Sequence, residues 1–460
     1  VFTDGVRRAA HKFAGVIAAT PPWAVLATAW LLLIIYAFPG QMTQDSFDHL
    51  SEARSGFYTD SHPPAINLLW RFVEYFVAGP FGMLVIQSST FVVGLYLVMR
   101  RAFAPRAAAW AAALLFLFPP VMLPFAVIWK DCFMAGFLML GAAGLLASRR
   151  WLRIAGLVAL WGATAVRYNA FAATFPLVLF LFRWRDGVHW LQRCAIACVA
   201  WFAVTAAAFG FNAKITDRQM HFWHSSLAVF DIVGTLAFVE RDLPDAEMRT
   251  LLEGTELTTK ENIHGVMKNL YTPRDFLPIL NHPTQGMWAL PIWGIEPAPV
   301  AQRDAIERVW KQVVTTHPLE YLKHRLSVMG EVLSLSSSHP AATVIRREYR
   351  RPDLARALDL TATWSTLQHK ATKFMVWLWR TTPVFVPWVY AVIALLLLPL
   401  ARRHRDVLAL LFSGLLMESS LLVLAPSPDY RYSHWMVVCT LVSVILLTAR
   451  RAVVREERMP

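Results

Sequence analysis

Long apolar runs recur along the chain, near 22–39, 80–99, 107–128, 132–148, 152–166, 168–182, 194–212, 383–400, 406–425 and 433–449. A helix of about 20 mostly apolar residues covers the ~30 Å of a bilayer's hydrocarbon, so these runs predict an all-α polytopic membrane protein with about ten spans. The fifth and sixth runs are the shortest. Residues 64–79, "PAINLLWRFVEYFVAG", follow another pattern: Ile66, Leu69, Trp70, Val73, Tyr75 and Phe76 fall mostly on one helical face, with Arg71 and Glu74 elsewhere. That periodicity predicts an amphipathic helix lying on the membrane surface, and the two charges argue against an eleventh span. The longest polar stretch, 213–382, ends in the helical pattern "ERVWKQVVTTHPLEYLKHRLSVMGEVL" after a tryptophan- and proline-rich segment. It predicts a small helical outer region, with Trp288, Trp293 and Trp310 suited to the headgroup boundary. The character of the chain changes near Ile215 and Lys373. Three parts follow: a transmembrane module over 1–212 with its first outer loop at 40–79, the outer region over 213–382, and C-terminal transmembrane helices over 383–460.

Composition supports this class: 56% of residues are hydrophobic and 16% charged, against roughly 45–50% and about 25% in soluble domains. The net charge of +13 changes the picture through its placement. Basic residues cluster in short loops between apolar runs: Arg7, Arg8 and Lys12; Arg100, Arg101 and Arg106; Arg149, Arg150 and Arg153; Arg183, Arg185 and Arg193; Arg402, Arg403 and Arg405; Arg450, Arg451, Arg455 and Arg458. The positive-inside rule puts these loops and both termini in the cytoplasm, and argues against nucleic acid as the partner. The opposite face receives 40–79, 124–131, 166–169, 213–382 and 425–432. No cleavable leader is expected, because the first apolar run, near Trp23, is not followed by a small-residue cleavage site. Cys132, Cys194, Cys198 and Cys439 have no zinc-site spacing.

With this topology, the outer helix ends carry charges that positive-inside statistics disfavour. The first outer loop holds Asp45, Asp48, Glu52 and Asp60. "PFAVIWKDCF" places Lys130 and Asp131 before a span, "AVRYNAF" holds Arg167, Tyr168 and Asn169, and "PSPDYRYSHW" holds Asp429, Arg431, Tyr432 and His434. Cations near hydrocarbon need partners or a ligand, and three of them on one face with several carboxylates predict a shared polar site. Mutual pairing, Lys130 with Asp131 and Arg431 with Asp429, is the plain structural alternative. Neighbouring residues on a helix face different ways, which weakens the first pair.

The chemistry such a site suits is phosphate binding with base catalysis. Arginine presents a planar fork and lysine a point charge to phosphate oxygens, while a carboxylate can take a hydroxyl proton. A divalent metal stays open, since Asp45, Asp48, His49, Asp60 and His62 share one loop, without distinctive ligand spacing.

The order and sidedness of these motifs ("DSHPP" before the surface helix, "WKD", "VRYNA", "THPLEYLKHR" and "PDYRY") resemble the integral-membrane glycosyltransferases of the C-type fold. That class includes protein O-mannosyltransferases, the aminoarabinose transferase of lipid A and bacterial relatives. The resemblance implies transfer of a sugar from a polyprenyl-phosphate carrier to a hydroxyl acceptor on the extracytoplasmic face of a bacterial cytoplasmic membrane. It implies Asp45 as catalytic base with Asp60 as second candidate, and Lys130, Arg167 and Arg431 as holders of the carrier phosphate. Asp48, His62, Asp131, Tyr168 and Tyr432 complete the substrate-binding set. The chain departs from the mannosyltransferase pattern in having "QDSFDHL" where many of those enzymes have a paired "DE". A surface-polysaccharide polymerase or ligase, and a transporter or flippase of a lipid-linked substrate, are the alternatives from other classes.

Overall fold

The computed structural model describes residues 19–184, 187, 189–257, 262–281, 296–336, 352–360 and 365–456. Trp288 and Trp293, and the basic groups at Arg7, Arg8, Lys12, Arg185 and Arg458, lie outside them. Among the described residues the protein is all-helical, with only two isolated β-bridges, Gln41 to Val127 and Thr59 to Arg218.

Each apolar run forms helix, but among the described residues four helices are long and apolar enough to cross a membrane by themselves: Phe81–Met99, Trp190–Ile215, Arg405–Leu424 and Tyr430–Ala452. The run at 107–128 breaks into Pro105–Leu117 and Pro119–Phe125, bent by 72°, and counts as a fifth if the pair is one span. By length and apolarity alone, four or five candidate spans are present where the sequence led to an expectation of ten. The reason is length: the 16 residues of Pro22–Ala37 rise about 24 Å, short of hydrocarbon thickness. Trp190–Ile215 leaves Val199 and Phe202 more than two-thirds exposed, as a helix bordering lipid does.

The Lys130–Leu145 and Arg150–Val166 helices pack through small residues. A Cβ on Gly156 would stand 2.8 Å from the Leu145 amide nitrogen and 2.9 Å from the Gly141 carbonyl oxygen. Only glycine permits this approach, which fixes Lys130 at the start of one helix relative to Arg167 at the end of the other.

The predicted surface helix is Ala65–Glu74. Its ten residues are too few to span. Ile66, Trp70 and Val73 are buried, while Phe72, Tyr75 and Phe76 are exposed. Tyr75 and Phe76 thus face away from the protein, not with the Ile66 stripe. Arg54 pairs with Glu74 at 2.9 Å, which holds the helix against the first outer loop.

The region over 213–382, expected from the sequence to lie outside the membrane, has its own core, built from Phe230, Ile232, Met267, Ile306, Val328 and neighbours, and joined to the bundle through Leu421, Ala425 and Tyr432. Asp231 is its polar hub. It accepts from Trp310 Nε1 at 2.9 Å and His324 Nε2 at 3.2 Å, and lies 2.5 Å from Arg325 Nη2. Arg325 Nη1 also donates to the Ala425 carbonyl at 3.0 Å, so the "THPLEYLKHR" helix docks the outer region on the bundle. Trp310 is turned inward to Asp231 and Trp223, which corrects its expected headgroup placement. The change of character at Ile215 coincides with a helix end, whereas that at Lys373 falls within Thr366–Thr381.

Candidate functional site

Asp45 lies in the first turn of the Gln44–Ser55 helix. The turn is tied to the segment before Lys130 by several contacts. Gln41 N–H donates to the Ala126 carbonyl and Ile128 N–H to the Gln41 carbonyl, each at 3.0 Å. Ser46 Oγ donates to the Ile128 carbonyl at 2.8 Å, and Trp129 Nε1 donates to Thr43 Oγ1 at 3.0 Å. Gln87, from the Phe81–Met99 span, donates to the Phe125 carbonyl at 2.9 Å and the Val127 carbonyl at 2.7 Å, satisfying the backbone freed where the bent pair ends. The last helix is anchored nearby: Tyr430 Oη donates to the Pro120 carbonyl at 3.1 Å, and His434 Nε2 bonds the Val121 carbonyl at the same distance.

These ties bring four distant segments together. Asp45 Oδ2 lies 2.8 Å from Arg431 Nη1 and 3.8 Å from Lys130 Nζ. Arg431 Nε lies 3.0 Å from Asp429 Oδ2 and 3.9 Å from Asp131 Oδ2, while Arg167 Nε is 3.4 Å from Asp131 Oδ1. Lys130 Nζ donates to His62 Nδ1 at 2.6 Å. The Tyr432 ring has Arg167 at 5.0 Å and Arg431 at 5.3 Å, and Trp129 adds a second ring 4.9 Å from Arg431. Cation–π contact lowers the cost of holding guanidinium groups away from bulk water.

Lys130 therefore pairs with Asp45 and not with its neighbour, while Arg431 makes both the expected local pair with Asp429 and the long-range pair with Asp45. At rest the cluster sets Lys130, Arg167 and Arg431 against Asp45, Asp131 and Asp429, and burial takes Lys130 down to about 7 from its ordinary 10.5. Asp131 is 1% exposed, whereas Asp45 at 25% and Asp429 at 21% are carboxylates that a solute can reach, and of the two only Asp45 pairs with both Arg431 and Lys130.

The remaining predicted residues stand apart. Asp48 is exposed and accepts from Gln44 Nε2 at 2.9 Å. Asp60 Oδ1 accepts the Met220 amide at 2.5 Å, clamping the loop after Ile215 to the first outer loop. Tyr168 stacks on Phe209 at 5.5 Å. Glu418, a buried acid within Arg405–Leu424, accepts from Ser433 Oγ at 2.8 Å. Among the described residues, no three His, Cys, Asp or Glu side chains converge as metal ligands.

Two supports were not recognised from the sequence. His49 is buried, directs Nδ1 at Asn67 Oδ1 at 2.6 Å, and packs on His62 with ring centroids 4.8 Å apart. Gln87 was legible in principle, because a lone amide within an apolar run needs buried partners.

The electrostatics separate these groups. Burial favours a neutral Asp45, but Arg431 and Lys130 outweigh it and hold the carboxyl well below its usual range. Burial, then the charge of Lys130, lowers His62 and takes His49 down to about 3 from its ordinary 6.5. Both rings are neutral at physiological pH, so His62 Nδ1 is free to accept from the lysine.

A pH dependence of stability follows. In the unfolded chain His49 protonates below 6.5, while in the fold it stays neutral until about 3. The unfolded state binds the extra proton between those values, so stability falls as pH drops, by about 1.4 kcal/mol per unit. Asp45, depressed below its ordinary 3.8, keeps its full contribution above that value and loses it progressively as pH falls from there through its folded value. Thermal unfolding in detergent across the window should show the decline, and His49→Gln should make it shallower, leaving the part that His62 supplies. A profile with the same slope in both proteins would refute the assignment.

Comparison with protein-family models, curated proteins and solved structures found no match to this chain.

Proposed function

We propose that the protein is a membrane transferase that moves a sugar from a polyprenyl-phosphate carrier to a hydroxyl acceptor at the Asp45 end of the bundle. The observation that carries this reading is the partly exposed Asp45 carboxylate held by Arg431 and Lys130, with Arg167 adjoining through Asp131. A base and phosphate-binding cations thereby share one boundary, and the helix ends there are rimmed with the aromatic rings of Trp129 and Tyr432.

The pairing of Asp45 with Arg431 and Lys130 in the resting cluster gives the mechanism its order. An arriving carrier phosphate competes with Asp45 for Arg431 and Lys130, since charge-assisted bonds to phosphate are as strong as those to carboxylate. Asp45, losing its cations, becomes a stronger base. It takes the proton of the acceptor hydroxyl as that oxygen bonds to the anomeric carbon. The bond from that carbon to the phosphate oxygen breaks, and its electron pair leaves with the phosphate, which the cations stabilise. A single displacement inverts the anomeric centre. Neutral His62 accepts from Lys130 and keeps the ammonium directed at the site.

The bundle of apolar helices, the broken helix beside the site and the polar outer region resting on it fit a C-type glycosyltransferase arrangement. The basic loops at the opposite helix ends support an extracytoplasmic site at the Asp45 end.

The test is reconstitution of the full chain in vesicles with a panel of polyprenyl-phosphate sugars and a short-chain alcohol acceptor. Release of polyprenyl phosphate is the expected result; neither consumption nor binding of any donor in the panel would refute the proposal.

A further inference from the structure

At the other end of the same helices lies a cleft of about 840 Å³. Arg431 and Arg450 sit at opposite ends of the last helix, separated by about 28 Å of rise, close to the thickness of the hydrocarbon core. The cleft is lined by Arg101, Arg153, Arg183, Arg403, Arg405 and Arg450, with Asp406 as its one acidic residue.

The ordinary explanation for arginines at helix ends is that they neutralise C-terminal carbonyls. Two arginines here do so. Arg153 donates to the carbonyls of Ala147, Ser148 and Arg183, and Arg193, just behind the cleft, donates to those of Phe180 and Phe182. Arg450 is spoken for by Asp406, through two guanidinium–carboxylate bonds. That leaves Arg101, Arg183, Arg403 and Arg405, which are exposed and have no acidic or carbonyl partner among the described residues. Four unpaired guanidinium groups converging on a concavity repel one another, an arrangement that an anion relieves.

The lining also has an apolar side, from Leu145, Leu146, Phe180 and Leu181. An arginine wall opposite an apolar wall, at the membrane boundary, matches an amphiphile with an anionic head. We propose that this cleft binds a phosphate group, presented by an anionic lipid headgroup, independently of the transferase reading. Guanidinium forks complement phosphate oxygens, and basic pockets between helix ends at a membrane face recognise such headgroups.

The test compares the full chain in neutral detergent with two double variants carrying the same loss of charge. Arg183→Gln/Arg403→Gln removes unpaired cleft cations, whereas Arg106→Gln/Arg402→Gln removes exposed cations of neighbouring basic loops that do not line the cleft. Native mass spectrometry is read with added phosphatidylglycerol, phosphatidylcholine or inorganic pyrophosphate. The expected result is binding of phosphatidylglycerol over phosphatidylcholine, weakened about thirtyfold in the cleft variant and little changed in the control. Binding of pyrophosphate without lipid, lost in the same variant, would support the phosphate site and assign a soluble source. Equal losses in both variants, or no binding of either anion, would overturn the proposal.

Discussion

Asp45→Asn is expected to lower turnover by about a hundred- to ten-thousandfold, the range that a positioned general base supplies. The amide keeps the shape of the carboxylate but cannot take the acceptor's proton. It also no longer competes for Arg431 and Lys130, which lie 2.8 Å and 3.8 Å away. The variant should therefore bind polyprenyl phosphate at least as tightly as the parent while failing to transfer. Loss of turnover with retained carrier binding separates a base from a residue that merely holds the site together, for which both would fall. Asp60→Asn is the informative comparison. The Asp60 carboxylate caps the Met220 amide, so its loss loosens a loop and should cost less than about tenfold in turnover. Unchanged turnover in Asp45→Asn would defeat the mechanism.

Asp231→Ala should be the most destabilising single change in the outer region, by about 3–5 kcal/mol, because it leaves a buried arginine without its counter-charge. Arg325 is 2% exposed and His324 fully buried, and both depend on the Asp231 carboxylate. The change also strips Trp310 Nε1 of its acceptor, so three helices lose one shared anchor. Hydrogen exchange should detect opening of the outer region before the bundle unfolds. Replacing the charge as well, in Asp231→Ala/Arg325→Met, should recover part of the loss, since a buried pair removed whole costs less than one broken. A loss below about 1 kcal/mol in Asp231→Ala, or no recovery in the double variant, would remove Asp231 from this role.

Much of the helical layout was legible because hydrocarbon thickness and backbone hydrogen bonding leave an apolar run few options. Hydropathy did not reveal that the run at 107–128 bends by 72°, because the two helices pass for one apolar span when taken together. The bend frees backbone groups that Gln87 satisfies from a neighbouring helix, a partnership across 38 residues that no local pattern encodes. Trp310 was misplaced for a related reason: an indole N–H suits a headgroup or a buried carboxylate equally well, and only packing supplied Asp231.

The candidate site was partly legible. Lys130, Arg167 and Arg431 were conspicuous because isolated cations in tiny loops need a counter-charge. Which carboxylate answers each was not readable, since Asp45, Asp48 and Asp60 look alike in one loop. The geometry separates them: Asp45 faces the cations, Asp48 faces solvent, and Asp60 faces the Met220 amide.

The sequence by itself determined an all-helical protein with candidate membrane spans and with basic residues clustered between its apolar runs, because length and apolarity are properties of each run alone. Tertiary structure decided which of those charges meet. The contacts between Gln41 and Val127, between Ser46 and Ile128, and at the close approach of Gly156 to Leu145 bring Asp45, Lys130, Asp131, Arg167 and Arg431 into one cluster. The pairing of charges depends on distances of a few ångströms, and those are set by long-range packing that one-dimensional spacing does not contain.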